Sequence, residues 1–175
     1  ENITRLKPNQ ICRRGISRTF QLIKLFGNMT VLENVWLASM FGRSESIHRS
    51  EAERDSLALL EFVGLSAAGM TPARDLTLVN QKRLEVARSL ATSPELLLLD
   101  ELMAGLNPAE VAQSMELVKQ IRDRGITIFM IEHVMKAIMS VCDRIMVLDH
   151  GVKIAEGKPQ EIASNRKVIE VYLGE

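Results

Sequence analysis

Cysteine is scarce in this chain: Cys12 and Cys142 are its only two, in 175 residues. They stand alone and match no metal-ligand or redox spacing, which reads as reduced thiols in a cytosolic protein. A surplus of charge is also missing, with 22 Lys and Arg against 22 Asp and Glu. No global field therefore draws nucleic acid or anionic lipid, and basic charge gathers only locally, as at Arg13-Arg14 and Lys82-Arg83. No apolar run approaches the roughly 18 to 20 residues that span a bilayer, and the polar start at Glu1-Asn2 has no signal-peptide core. Any membrane role is then peripheral. There is no internal repeat and no low-complexity tract.

What is present is a hydrophobic content of 46%, enough for one domain or one core plus a small subdomain. The most informative stretch is Leu96-Leu97-Leu98-Leu99-Asp100-Glu101. Four leucines in a row have neither helical nor alternating period, which predicts a strand buried on both faces of a parallel sheet. Ligand crevices in open α/β sheets lie just beyond the carboxyl ends of such strands, so Asp100 and Glu101 are candidates for chemistry. A buried strand followed by a solvated acidic turn fits those six residues equally well, and the neighbouring segments decide between the two.

From Glu1 the chain is polar and basic; Pro8 starts a short helix that Gly15 ends, and Arg18-Thr19-Phe20-Gln21 is predicted as a strand running into a loop. Thr30 as N-cap with Glu33 three residues on predicts a capped helix to about Met40. A second helix from about Ser50 to Val63, closed by Gly64, is expected to turn Leu57, Leu60 and Phe62 to a core, and a third runs from about Thr77 to Pro94. Asn107-Pro108-Ala109-Glu110 predicts another helix start. The apolar run Ile126 to Ile131 is a strand ending in Glu132 and His133, and strand, helix, strand is a right-handed parallel crossover by default. Arg144 to Glu156 is predicted as a hairpin turning at Asp149-His150-Gly151, followed by short helices from Pro159 and Arg166. The helical middle lies between strand-bearing flanks, so it looks like an insertion on an α/β core.

Taken in order, Gln21, the segment Leu76 to Arg83, Leu96 to Glu101, Ala104-Gly105-Leu106-Asn107 and His133 resemble the ATP-binding-cassette (ABC) ATPases over essentially the whole chain. Arg18 to Gln21, Met29 to Val35, Leu84 to Arg88 and Ile131-Glu132-His133 resemble the subunits that power branched-chain amino acid import. The resemblance implies an α/β P-loop NTPase (RecA-like) core, N-terminally incomplete, with an inserted helical subdomain. Its parts would be residues 1–28 as a core remnant, 29–93 as the helical block and 94–175 as the rest of the core.

The same resemblance implies ATP as substrate with Mg2+. Asp100 would hold the metal together with Gln21; Glu101 would polarise the attacking water; Gln21 would couple the nucleotide site to the membrane partner; and His133 would sit at the γ-phosphate. Thr77, Val79 and Gln81 fall in the family signature and Asn107 in the loop beyond, both of which address nucleotide; a helix N-terminus suits an anion through its free N–H groups. The implied partners are transmembrane permease subunits, met by the helical block with Leu25-Phe26 as a contact, and a second ATPase subunit. Nucleic acid is not among them. The implied place is the cytoplasmic face of the membrane.

Three residues depart from the family pattern: Val79 where Gly is expected, Leu102 where Pro usually follows the glutamate, and Val134 where Asp usually follows the histidine. Val79 puts a β-branched side chain where backbone must approach phosphate. No Gly-x-x-x-x-Gly-Lys-Ser/Thr loop occurs in these residues, so the phosphate cradle of Walker A has no counterpart. Glu1 to Thr4 resembles a segment downstream of that loop, and the expectation is a chain starting after it, binding ATP weakly alone, with an unpaired apolar edge on the Leu96 to Leu99 strand. Two readings stay open: the ATPase of an importer, active when the loop is supplied, or a non-catalytic paralogue that still docks on a transporter. An ABC ATPase of DNA repair or ribosome work would show coiled-coil heptads or a basic surplus, and neither occurs.

Overall fold

The computed structural model describes residues 2–44 and 47–173. Helix α1 (Pro8–Cys12) leads into strand β1 (Ile16–Arg18), and three helices follow: α2 (Val31–Gly42), α3 (Arg49–Phe62) and α4 (Leu78–Ala91). Then come β2 (Leu96–Asp100), α5 (Pro108–Asp123), β3 (Thr127–Ile131), α6 (Met135–Val141), the hairpin β4 (Ile145–Asp149) and β5 (Val152–Gly157), α7 (Pro159–Ala163) and α8 (Arg166–Leu173).

Strands β1, β2 and β3 form a parallel sheet with β2 in the middle. This corrects the expectation of an unpaired edge on β2: Ile16 pairs with Leu96 on one side and Thr127 with Leu96 on the other. Strand β1 also lies two residues earlier than the motif suggested. Thr19 N–H still bonds to Leu98 O (2.9 Å), but the next donor, Phe20 N–H, is taken by the Glu85 carboxylate at 3.1 Å, which ends the ladder.

Burial of the leucine strand is one-sided. Leu97 and Leu99 are sealed into the main core, whereas Leu96 and Leu98 are half-buried. Register pairs share a face in a parallel sheet, so Leu98 and Asp100 lie beside Phe129 and Ile131, which are 56% and 55% exposed. The expected cover on both faces is therefore found on one.

Helices α2, α3 and α4 pack on one another beside the sealed face, with Val31, Val35, Leu60, Leu84, Val86 and Ala87 fully buried. Helix α2 starts as its sequence signals, Thr30 Oγ1 accepting from Glu33 N–H at 3.1 Å while the Glu33 carboxylate accepts from Thr30 N–H at 2.8 Å. The Thr30 N–H and the Thr30 hydroxyl, both donating to it, hold the Glu33 carboxyl below its usual range. On α3 the inner face runs Ala52, Ser56, Leu60, Val63, at steps of four, four and three residues. Leu57 lies a further 100° round and is 52% exposed, contrary to the sequence expectation. Helix α4 is buried nearly all round, including its charged Lys82 and Glu85. The hairpin turns through His150 (φ 46°) and Gly151 (φ 79°), the paired positive angles of a type I′ turn.

Candidate functional site

Strands β1, β2 and β3 run parallel, so their carboxyl ends share one side of the sheet, and the chain after each end carries Gln21, Glu101 and His133. Gln21 Nε2 donates to Glu101 Oε2 at 2.8 Å, and His133 Nδ1 stands 4.0 Å from Glu101 Oε1. The histidine is the exposed member, its side chain 63% accessible against 28% for Glu101. Residues separated by 80 and then 32 positions along the chain thus meet at one carboxylate.

The backbone of Glu101 explains how. Its φ is 47°, a left-handed angle that costs a non-glycine residue roughly 1 to 2 kcal/mol. Such strain persists only where the surroundings over-determine it. Here they do: Glu101 N–H donates to Ile131 O at 2.9 Å, and its carbonyl accepts from Lys82 Nζ at 3.1 Å. The reversal sends Glu101 toward Gln21 and leaves Asp100 on the open face, where it pairs with Arg18 at 2.6 Å. Asp100 and Arg18 line a separate hollow of about 210 Å³ with Leu98, Leu99, Phe129 and Ile131.

Two sequence candidates for a metal, Asp100 and Gln21, are thus engaged by different partners. Among the described residues no group of three or more His, Cys, Asp or Glu converges as a metal site. The donors as arranged do not fit a resident cation, and no step is assigned to one.

The start of α4 is arranged otherwise. Thr77 is the N-cap but makes no side-chain capping bond, Val79 is half-buried, and Gln81 Nε2 folds back to Leu76 O at 3.0 Å. Asn107 spends its side-chain carbonyl capping α5, accepting from Ala109 N–H (3.0 Å) and Glu110 N–H (3.1 Å). The two regions abut at Gly105, whose φ is 76° and where a Cβ would lie 3.2 Å from Leu78 Cδ2.

Sequence reasoning missed three charges beside the site, two buried and one half-buried. Lys82, read as part of a local basic patch, is only 6% exposed; burial pulls its pKa down, while the carboxylates of Glu132, Glu85 and Glu101 push it up. Glu85 is 5% exposed, and burial raises its carboxyl above the glutamate range although Phe20 N–H, Arg88 and the Lys24 backbone oppose that. Glu132 is raised by burial as well; one oxygen accepts from Met103 N–H at 2.8 Å, and the other is buried with no hydrogen bond. The available signal was Lys82, Glu85 and Arg88 at steps of three along a helix that also carries Leu84, Val86, Ala87, Leu90 and Ala91. Charges at that spacing share a face and require partners once the helix is covered all round.

Asn34 on α2, which reaches the loop after Gln21, was also overlooked. It is fully buried, accepts from Phe26 N–H at 3.0 Å and donates to the carbonyls of Phe26 (3.1 Å) and Thr30 (2.9 Å), so it shapes that loop. Leu25 packs on the core, while Phe26 is 47% exposed with the Arg88 guanidinium 4.9 Å from its ring centre.

A family model described as "ABC transporter" matches residues 1–104, and one described as "Branched-chain amino acid ATP-binding cassette transporter" matches 152–175. The chain is 39% identical over 188 residues to the high-affinity branched-chain amino acid transport ATP-binding protein LivG of Escherichia coli strain K12, covering all of this chain and 74% of that protein. Identity to BraF of Pseudomonas aeruginosa, which bears the same description, is 39% over 189 residues, with the same coverage. Among solved structures, the ADP conformation of MJ1267, an ATP-binding cassette of an ABC transporter, superimposes with a TM-score of 0.85 at 30% identity, covering all of this chain and 74% of that one.

Proposed function

The chain belongs to the ABC transporter family of ATPases, and on that premise we propose that it hydrolyses ATP to drive an importer of branched-chain amino acids. The Gln21–Glu101 hydrogen bond, with His133 on the second carboxylate oxygen, carries this reading. A carboxylate held at one oxygen by an amide, with an exposed imidazole 4.0 Å from the other, can orient a water molecule and take its proton as the water attacks phosphorus. Gln21 fixes the acceptor, and His133 faces the transferred phosphoryl group and its developing charge.

Thr77, Val79 and Gln81 face the nucleotide of a second ATPase subunit in this proposal, with Asn107 behind them; Mg2+ arrives with the nucleotide. The division at 1–28, 29–93 and 94–175 goes with it, α2, α3 and α4 forming the helical part. Exposed apolar side chains on the loop after β1, namely Phe20, Leu22 and Phe26 at 44%, 78% and 47%, support a permease contact there. Among the described residues no helix is long and apolar enough to cross a membrane, which accords with peripheral attachment on the cytoplasmic side.

The test is the transporter assembled from the full-length gene product and its permeases in proteoliposomes. ATP-dependent uptake of a branched-chain amino acid, and not of a basic one, is the expected result; absent hydrolysis or undifferentiated uptake overturns the reading. A second reading, a non-catalytic docking partner, is favoured by Val79 and by Gln81 turned back on Leu76. An in-frame Gly-rich Lys-Ser/Thr loop encoded upstream of Glu1 would eliminate it.

A further inference from the structure

One turn of α4 reaches the backbone of Glu101 and that of Phe20, the neighbour of its hydrogen-bond partner Gln21. Lys82 Nζ donates to the Glu101 carbonyl at 3.1 Å, and Glu85 Oε1 accepts the N–H of Phe20, the residue before Gln21, at 3.1 Å. Both side chains are more than nine-tenths buried. Arg88, three residues further along the same face, donates to the Lys24 carbonyl beyond Gln21. Burying an ammonium and a carboxylate is costly without partners in good geometry, and each charge here meets a backbone group of the two segments that must face one another.

We propose that Lys82 and Glu85 are positioning residues that set the separation and orientation of Gln21 and Glu101, making α4 the element that holds the water-activating pair together. The inference deepens the hydrolase reading and rests on it for the catalytic consequence only. Lys82 locks the strained turn at Glu101 by its carbonyl, opposite the Ile131 oxygen that holds its N–H. Glu85 ends the β1 ladder at Phe20 and so lifts Gln21 off the sheet. Because the same helix begins at Thr77, a shift of α4 would move Gln21 and Glu101 with it.

Amide hydrogen exchange on this chain and steady-state hydrolysis by the assembled transporter are measured for Lys82→Met, Lys82→Arg, Glu85→Leu and Glu85→Gln. In Lys82→Met the Glu101 amide should exchange about tenfold faster with Val86 and Leu90 unchanged, and in Glu85→Leu the Phe20 amide should do the same, as expected for loss of one buried hydrogen bond. The assembled transporter should lose about ten- to a hundredfold in kcat with KM for ATP little changed, as a displaced catalytic group predicts. Lys82→Arg and Glu85→Gln, which keep a donor and an acceptor, should recover most of both signals. Unchanged exchange at Glu101 and Phe20, or exchange raised uniformly through α4 and β2 without rescue, overturns the positioning role. Local exchange changes with rescue, in a protein that hydrolyses no ATP in any form, uphold the positioning and sink the hydrolase reading instead.

Discussion

The acidic turn after β2 and the start of α4 abut at Gly105, yet they are built to opposite plans. At the turn, side chains reach across the molecule: Gln21 to Glu101, Lys82 to the Glu101 carbonyl, Glu132 to Met103. At the start of α4 they turn inward, with Gln81 on its own Leu76 and Val79 half-buried. The water-activating half of the proposed site is therefore preorganised within one chain, and the anion-facing half is not. In the proposed hydrolase the general-base geometry at Glu101 is then set by this chain's own contacts, whereas stabilisation of the phosphoryl charge is left to groups not yet in place.

The sharpest attempt to break that contrast is Glu101→Gln, which keeps the hydrogen-bond geometry and removes the proton acceptor. Hydrolysis by the assembled transporter should fall about 10²- to 10⁴-fold, while nucleotide binding, read by filter retention, stays. Next comes Phe26→Asp on the loop that carries Gln21: co-purification with the permease should be lost while the circular dichroism spectrum and urea midpoint of the chain stay in place. Gly105→Ala strikes the joint between the two regions, where a side chain meets both a left-handed φ and Leu78. It should cost about 1 to 2 kcal/mol in urea denaturation.

At the α4 start, Val79→Gly uncovers backbone N–H groups and should lower KM for ATP about threefold, while destabilising the helix by about 0.5 to 1 kcal/mol. The smallest effect is on pH dependence. Burial of Glu85 and partial burial of Glu132 raise both carboxyls above their ordinary value of 4.5. The native state then binds protons that the unfolded chain has released, so stability falls as pH rises through that window. A Glu85→Gln, Glu132→Gln double variant should show a shallower fall in urea midpoint as pH rises above 4.5.

Local signals carried far. The Thr30 and Asn107 caps, the Gly151 turn and the strand ends at Asp100 and Ile131 all follow from residue type and spacing. They are decided by neighbours a few residues away, which a sequence displays directly. The meeting of Gln21, Glu101 and His133 was legible only through the motif order, because no local rule brings Gln21 to a residue 80 positions on.

What stayed hidden is long-range and polar. Lys82 looked like surface charge because its burial depends on the acidic turn, where it meets the Glu101 carbonyl and faces Glu132, rather than on its own flanks. The left-handed Glu101, which separates it from Asp100, is likewise imposed from Ile131 and Lys82. Four leucines announced a strand but not which face is covered, since an unbroken apolar run has no alternation to read.

A double-mutant cycle on the single-turnover hydrolysis rate of the assembled transporter, pairing Gln21→Ala with Glu101→Gln, tests the central claim that these two side chains act as one unit. The double variant should be slowed no more than about twofold beyond Glu101→Gln alone, since the amide has nothing left to hold in place. Losses that multiply as independent factors would show that Gln21 and Glu101 work separately, and the account built on their hydrogen bond would fail.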